Sequence, residues 1–240
     1  MKLFKWTNVR LLLMFALVIF LFSFTSERNS SRKLTKSTVV FVGETAPFVD
    51  QETVNKLLIE NRRDAQSIGK DKLDLNELEK TLNAQEMIEK SDVFVSIDGV
   101  LKAVVKQKTP IARVFDGNDS FYIDYKGNRM PLSANFTARV PLVSGEINKK
   151  NSEDLAELFR IIYDDAFLKK NIIGVQIMPN GSVKMLNRNF SYQIDFGGTT
   201  RMKAKFNNYK AFFQKAVLDS SLYKYKKIDL RFAQQVVCTK

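Results

Sequence analysis

The 240-residue chain contains no histidine. That absence removes the commonest general base, every His-mediated triad and most zinc sites at once. There is a single cysteine, Cys238, so no internal disulfide can form and no CxxC pair exists. With no His and no second Cys beside it, Cys238 reads as a plain terminal residue. GxxxxGK[ST], GxGxxG, HExxH and GxSxG patterns are missing, which leaves no phosphate-cradling loop, zincin helix or nucleophile elbow. Asp116, Asp119 and Asp124 lack EF-hand spacing and a closing Glu, and read as turn residues. Asp164 and Asp165 are adjacent on an expected helix, where neighbours point about 100° apart, so they form no carboxylate dyad. An enzyme is therefore not expected, and neither is a cofactor or metal.

What is present is apolar and aromatic. Apolar residues make up 45% of the chain, with nineteen Phe and seven Tyr against one Trp. That composition can fill a core and favours packed sheet surfaces. The net charge of +12 is unevenly spread. Residues 1–36 carry +6 and residues 184–240 carry +9, while the stretch between them is slightly acidic at −3. The basic character sits at the two ends, which is not the layout of a continuous nucleic-acid-binding face.

Leu11–Phe24 is fourteen residues without a charge. As helix that is about 21 Å, short of a ~30 Å hydrocarbon core. Extended to Thr7–Ser26 it reaches twenty residues with one charge, Arg10, which can snorkel, while Trp6 suits the interface. A cleaved signal peptide competes with an uncleaved anchor. The sequence FSFTSERNS that follows offers a poor cleavage site, so the anchor is the expected reading. Arg28–Ser37 is a basic, Ser-rich juxtamembrane linker suited to anionic headgroups or to plain solvation. Residues 27–240 are expected outside the cytoplasm.

The soluble part divides in two. In the first unit Thr38–Gly43 is a strand. Asp50 caps a helix bearing Val54, Leu57 and Leu58. Asn61–Lys72 is polar and broken by Gly69. Asp74 and Glu77 open a second helix with Leu75, Leu78 and Leu82 on its stripe. A strand over Ile88–Ile97 turns at Asp98-Gly99 into a return strand, Leu101–Gln107.

In the second unit short strands follow Pro110, around Phe121–Tyr125, Met130–Leu132 and Ala138–Val143. A helix is expected over Glu153–Lys169, with Ser152 as its N-cap. A hairpin spans 171–186. Phe190–Phe196 alternates, with Asp195 facing out. Thr200–Leu218 is expected as a helix with Lys203, Lys205, Lys210 and Lys215 on its solvated face. The last element reads as one strand, Lys227–Val237.

Three motifs in this order resemble those of the FtsQ/DivIB family of bacterial cell-division proteins. They are the Gln107-Lys108-Thr109-Pro110 step, the Tyr122–Gly127 turn (YIDYKG) and the closing Ile228-Asp229-Leu230-Arg231 strand. The resemblance implies an α+β fold with a single signal-anchor helix, a POTRA-like β-α-α-β-β domain, and a mixed α/β domain (the family's β domain) ending in an edge strand. The corresponding boundaries are a cytoplasmic tail 1–10, an anchor 11–26, a linker 27–37, a POTRA-like domain 38–109 and a β domain 110–240. Pro110, Tyr122, Asp124 and Gly127 would form the domain junction.

The resemblance also implies a non-enzymatic scaffold at the septum of the inner membrane, with FtsB, FtsL and other septal wall-synthesis proteins as partners. The family's FtsB docks as an added strand. Here that points to Ile228, Leu230, Arg231, Phe232, Gln235, Val236 and Val237, with Phe213 on the flanking helix. Such docking uses the unpaired N–H and C=O groups of a sheet edge. Two other readings stay open. One is an anchored binder of an anionic surface polymer using the basic C-terminal third. The other is an envelope hydrolase with Ser or Asp chemistry, for which Asp124 and Asp195 are the residues to test.

Overall fold

The computed structural model describes residues 6–30, 34–43, 47–59, 73–117, 119–232 and 234–240. The chain opens with helix α1, Trp6–Ser30, whose apolar side chains are exposed. Its stretch Asn8–Arg28 is long and apolar enough to cross a membrane once. The chain divides into two units, one comprising Met1–Thr45 with Val49–Gln107 and the other Ala46–Phe48 with Lys108–Lys240.

The first unit runs β1 (Lys36–Val42), α2 (Gln51–Ile59), α3 (Leu75–Asn83), β2 (Ile88–Val95) and β3 (Val100–Gln107). Local chemistry sets both helix starts. The Asp50 carboxylate accepts the Thr53 N–H at 2.6 Å, and the Asp74 carboxylate accepts the Glu77 N–H at 3.0 Å. The sheet order is β1-β3-β2, with β1 parallel and β2 antiparallel to β3. Alternation places Val39, Val93, Leu101, Ala103 and Val105 on one face, packed with Val54, Leu58 and Leu82 of the helices. Among the described residues the other face is open. The hairpin turn takes Ser96–Gly99, so Ile97 leaves the strand row expected for it and stands 81% exposed. The expected polar break over 61–72 lies outside the described residues.

The second unit holds β4 (Pro110–Asp116), β5 (Asp119–Asp124), β6 (Arg129–Met130), β7 (Leu142–Ser144), α4 (Ser152–Asp164), α5 (Ala166–Asn171), β8 (Ile172–Ile177), β9 (Val183–Asn187), β10 (Gln193–Gly197), α6 (Met202–Leu218), β11 (Lys227–Asp229) and β12 (Val237–Thr239). A 3-10 turn, Ser221–Lys224, leads out of α6. All nine strands join one sheet in the order β12-β11-β10-β9-β8-β7-β4-β5-β6. Leu155, Leu158, Phe159 and Ile162 of α4, with Phe206 and Tyr209 of α6, bury against Val143, Val175, Met185, Ile194 and Ile228 of the strands.

Four expectations are corrected here. The strand expected over 138–143 shrinks to Leu142–Ser144, since Pro141 has no N–H to give to a ladder. The helix expected over 153–169 breaks at Asp165, whose extended backbone ends α4 and whose carboxylate caps α5 through the Phe167 and Leu168 N–H groups, both at 3.0 Å. Asn151, not Ser152, stands at the N-cap of α4. The strand expected from Phe190 begins at Gln193.

Candidate partner-binding edge

β10, α6 and β11 form a parallel crossover, which carries the chain from one strand over the helical layer to the next. β12 then returns antiparallel to β11, pairing Lys227 with Thr239, Ile228 with Cys238 and Asp229 with Val237. The single final strand expected over 227–237 is thus two short strands joined by a connection. β11 lies inside the sheet, and among the described residues β12 has a neighbouring strand on one side only.

That division sorts the residues named above. Ile228 and Leu230 are core residues at 0% and 1% exposure. Phe232, Gln235 and Val237 are exposed, at and beside the edge. Val236 is half-buried against the core. Phe213 of α6 is half-buried and edge-on to Phe167 at 4.9 Å and to Phe190 at 5.7 Å, so its ring belongs to the flank of the core. Cys238 is half-buried, and burial pushes its thiol above the ordinary value.

Arg231 bends back. Its guanidinium grips the Asp229 carboxylate, with Nε–Oδ1 at 2.9 Å and Nη2–Oδ2 at 2.5 Å, and its own N–H donates to Oδ1 at 3.0 Å. This pairing holds the Asp229 carboxyl below the usual carboxylate range. The Leu230 N–H is taken by the Asp195 carbonyl at 2.9 Å. The expectation that Asp195 faces solvent is corrected in part. It does lie on the face opposite Ile194 and Phe196, but it is 9% exposed, because Lys227 (2.6 Å) and Gln193 (2.7 Å) cover it. Burial alone would raise its carboxyl, and those two donors reverse the shift, keeping it below the usual range.

Lys205 is a second correction, since it does not lie on the solvated face of α6. It is buried, and its ammonium donates to the carbonyls of Phe196 at 3.0 Å and Gly198 at 2.6 Å. Burial lowers its pKa. The signal is in the spacing. Met202, Lys205 and Tyr209 fall three and four residues apart, on the buried stripe. Sequence reasoning also misses a buried chain of hydroxyls, in which Tyr192 meets Tyr209 at 2.8 Å and the Asn187 amide donates to Tyr209 at 2.9 Å.

A cleft of about 540 Å³ opens at the start of α6, lined among others by Arg201, Lys205 and Arg231. Its charge is largely committed, since Lys205 serves two carbonyls and Arg231 serves Asp229. No cluster of residues suited to a metal occurs among the described residues.

The four residues expected at a junction all lie in the second unit. Pro110 is buried at the start of β4. The Tyr122 hydroxyl accepts the Ala138 N–H at 3.1 Å. The Asp124 carboxylate, 2% exposed, accepts the N–H groups of Lys126 (3.0 Å) and Asn128 (2.8 Å), which closes the turn. Gly127 sits in that turn, where a Cβ would meet the Cβ of Ala156 at 3.0 Å.

The family model described as "FtsQ/DivIB, C-terminal related" matches residues 109–239, more than half of the chain. The chain belongs to the FtsQ/DivIB family. Family membership gives it a role in cell division, in a family of non-catalytic division scaffolds. The major extracytoplasmic domain of the trans isomer of the cell-division protein DivIB from Geobacillus stearothermophilus is similar at 14% identity and a TM-score of 0.32. That match covers 47% of this chain and 95% of the other. No match was found among curated proteins. The apolar helix α1 together with this family fits a single-pass membrane protein.

Proposed function

We propose that the protein is a bitopic scaffold of the divisome, without catalytic activity. In this reading α1 anchors it in the inner membrane at the septum, with both units outside the cytoplasm. FtsB- and FtsL-type partners are recruited by adding a strand to β12. One observation carries the reading. β12 ends a nine-stranded ladder, and its Val237 is 40% exposed, so backbone donors and acceptors stand at an open edge. Phe232 and Gln235 flank that edge as side-chain contacts, while Ile228 and Leu230 support it from the core.

Co-purification of the full chain with an FtsB-type partner tests this. Phe232→Lys and Val237→Lys change exposed positions, so the protein stays folded and membrane-bound while partner recovery falls. Unchanged recovery with both variants would remove β12 as the docking edge.

A further inference from the structure

The open face of the sheet in the first unit carries its own pattern. Cross-strand register sets three rows on it, Thr38–Lys102–Phe94, Val40–Val104–Asp92 and Val42–Lys106–Lys90. Val40, Val42 and Phe94 are 45%, 42% and 44% exposed. The face is therefore a shallow apolar strip set among lysines. Lys36, Lys90, Lys102 and Lys106 stand against Glu89 and Asp92, the carboxylates that pair with Lys106 and Lys90 at 3.1 and 3.0 Å.

The helix layer of the same unit has the opposite sign. Among the described residues, α2, α3 and their caps hold five carboxylates (Asp50, Glu52, Asp74, Glu77, Glu79) and two lysines, Lys56 and Lys80. Among the described residues the unit thus carries a basic, apolar sheet side and an acidic helix side.

The position in the chain says what such a face can meet. The spanning stretch ends at Arg28 and β1 begins at Lys36. Eight peptide steps reach at most about 28 Å. A face tethered so closely sees the lipid surface at high effective concentration, so weak contacts suffice. Lysines draw it to anionic headgroups, and small apolar side chains between them enter the interface.

We infer that the open sheet face of the first unit lies on an anionic phospholipid surface, with its acidic helix layer turned away. The contact rests on α1 being the anchor and does not depend on the β12 reading.

The full chain in lipid nanodiscs tests it. In a Cys238→Ser background, an environment-sensitive fluorophore is placed at Thr38→Cys on the sheet face or at Glu77→Cys on the helix layer. Quenching by neutral acrylamide is then read in phosphatidylcholine discs with and without phosphatidylglycerol. The expected result is several-fold shielding at position 38 only in the anionic discs, reversed by high salt and by paired Lys102→Glu and Lys106→Glu changes. Equal quenching at 38 and 77 in anionic discs overturns the inference. So does shielding in phosphatidylcholine alone that ignores salt, which would assign the face to a protein contact. The lipid comparison needs no charge variant, so it decides the question even where the glutamate pair misfolds, and Lys102→Gln with Lys106→Gln gives a milder second reading.

Discussion

The Arg231 side chain crosses Gly197 so closely that a Cβ on the glycine would stand 2.7 Å from the arginine Cγ. Gly197 ends β10 with φ +75, a conformation that side chains disfavour. The glycine thereby leaves room for the stem of Arg231, whose head grips Asp229 where the chain leaves β11. This three-residue arrangement holds the chain where it leaves β11.

Gly197→Ala is expected to destabilise the second unit by more than about 1 kcal/mol, through both the positive φ and the clash. Gly198→Ala, with nothing within 4 Å of its Cβ, is the control and should be nearly neutral. Thermal melts of both variants, with amide exchange at β12, check the difference. Equal melts would remove the clamp.

The Asp229–Arg231 pair also gives the edge a pH dependence. The Asp229 carboxyl is held below its ordinary value, and Asp195 shifts the same way. Their stabilisation is therefore full above the ordinary carboxylate value and is lost as pH falls through the lowered ones. Opening of β12, read as lost amide-exchange protection relative to the intrinsic rate at each pH, should rise on acidification below about pH 4. Asp229→Asn should flatten part of that rise, and an unchanged profile in that variant would count against the assignment.

Lys205 serves the backbone where β10 ends. Lys205→Met keeps most of the buried stem but leaves the carbonyls of Phe196 and Gly198 without their donor. A loss of about 1–3 kcal/mol is expected in denaturant unfolding. Lys203→Met, on the exposed side of α6, should change little.

Ile228 and Phe232 separate folding from binding. Ile228→Ala cuts a fully buried side chain and should cost about 2–5 kcal/mol of stability. Phe232→Ala, at a position 45% exposed, should leave the melt nearly unchanged while weakening partner recovery. Matching stability losses in the two would mean that Phe232 also belongs to the core.

Local signals are the legible ones. Asp50 with Thr53, Asp74 with Glu77, and the Asp98-Gly99 turn each act within a few residues, so the sequence alone reveals them. The end of the chain is harder. Ile228, Leu230 and Phe232 alternate as a strand should, so the pattern runs on to Val237. What bends the chain after Leu230 is a contact with Gly197, far earlier in sequence, and the Asp195 carbonyl that takes the Leu230 N–H. Periodicity cannot see either. Lys205 misleads for the opposite reason, because its charge outweighs spacing that places it on the buried stripe. The edge itself follows from β10 pairing parallel with β11, a long-range choice made through α6.

The ladder at this end of the sheet is short. Three residue pairs join β12 to β11, and three join β11 to β10. Any strand added to β12 would pass a mechanical pull into the protein through those few hydrogen bonds, sheared along the strand axis. Under such a pull β12 would part from β11 first, while β11, held in the core by Ile228 and Leu230, stays with the inner strands and their helices. The junction would behave as a mechanical fuse, able to let go of a partner and re-form without unfolding the body that carries it.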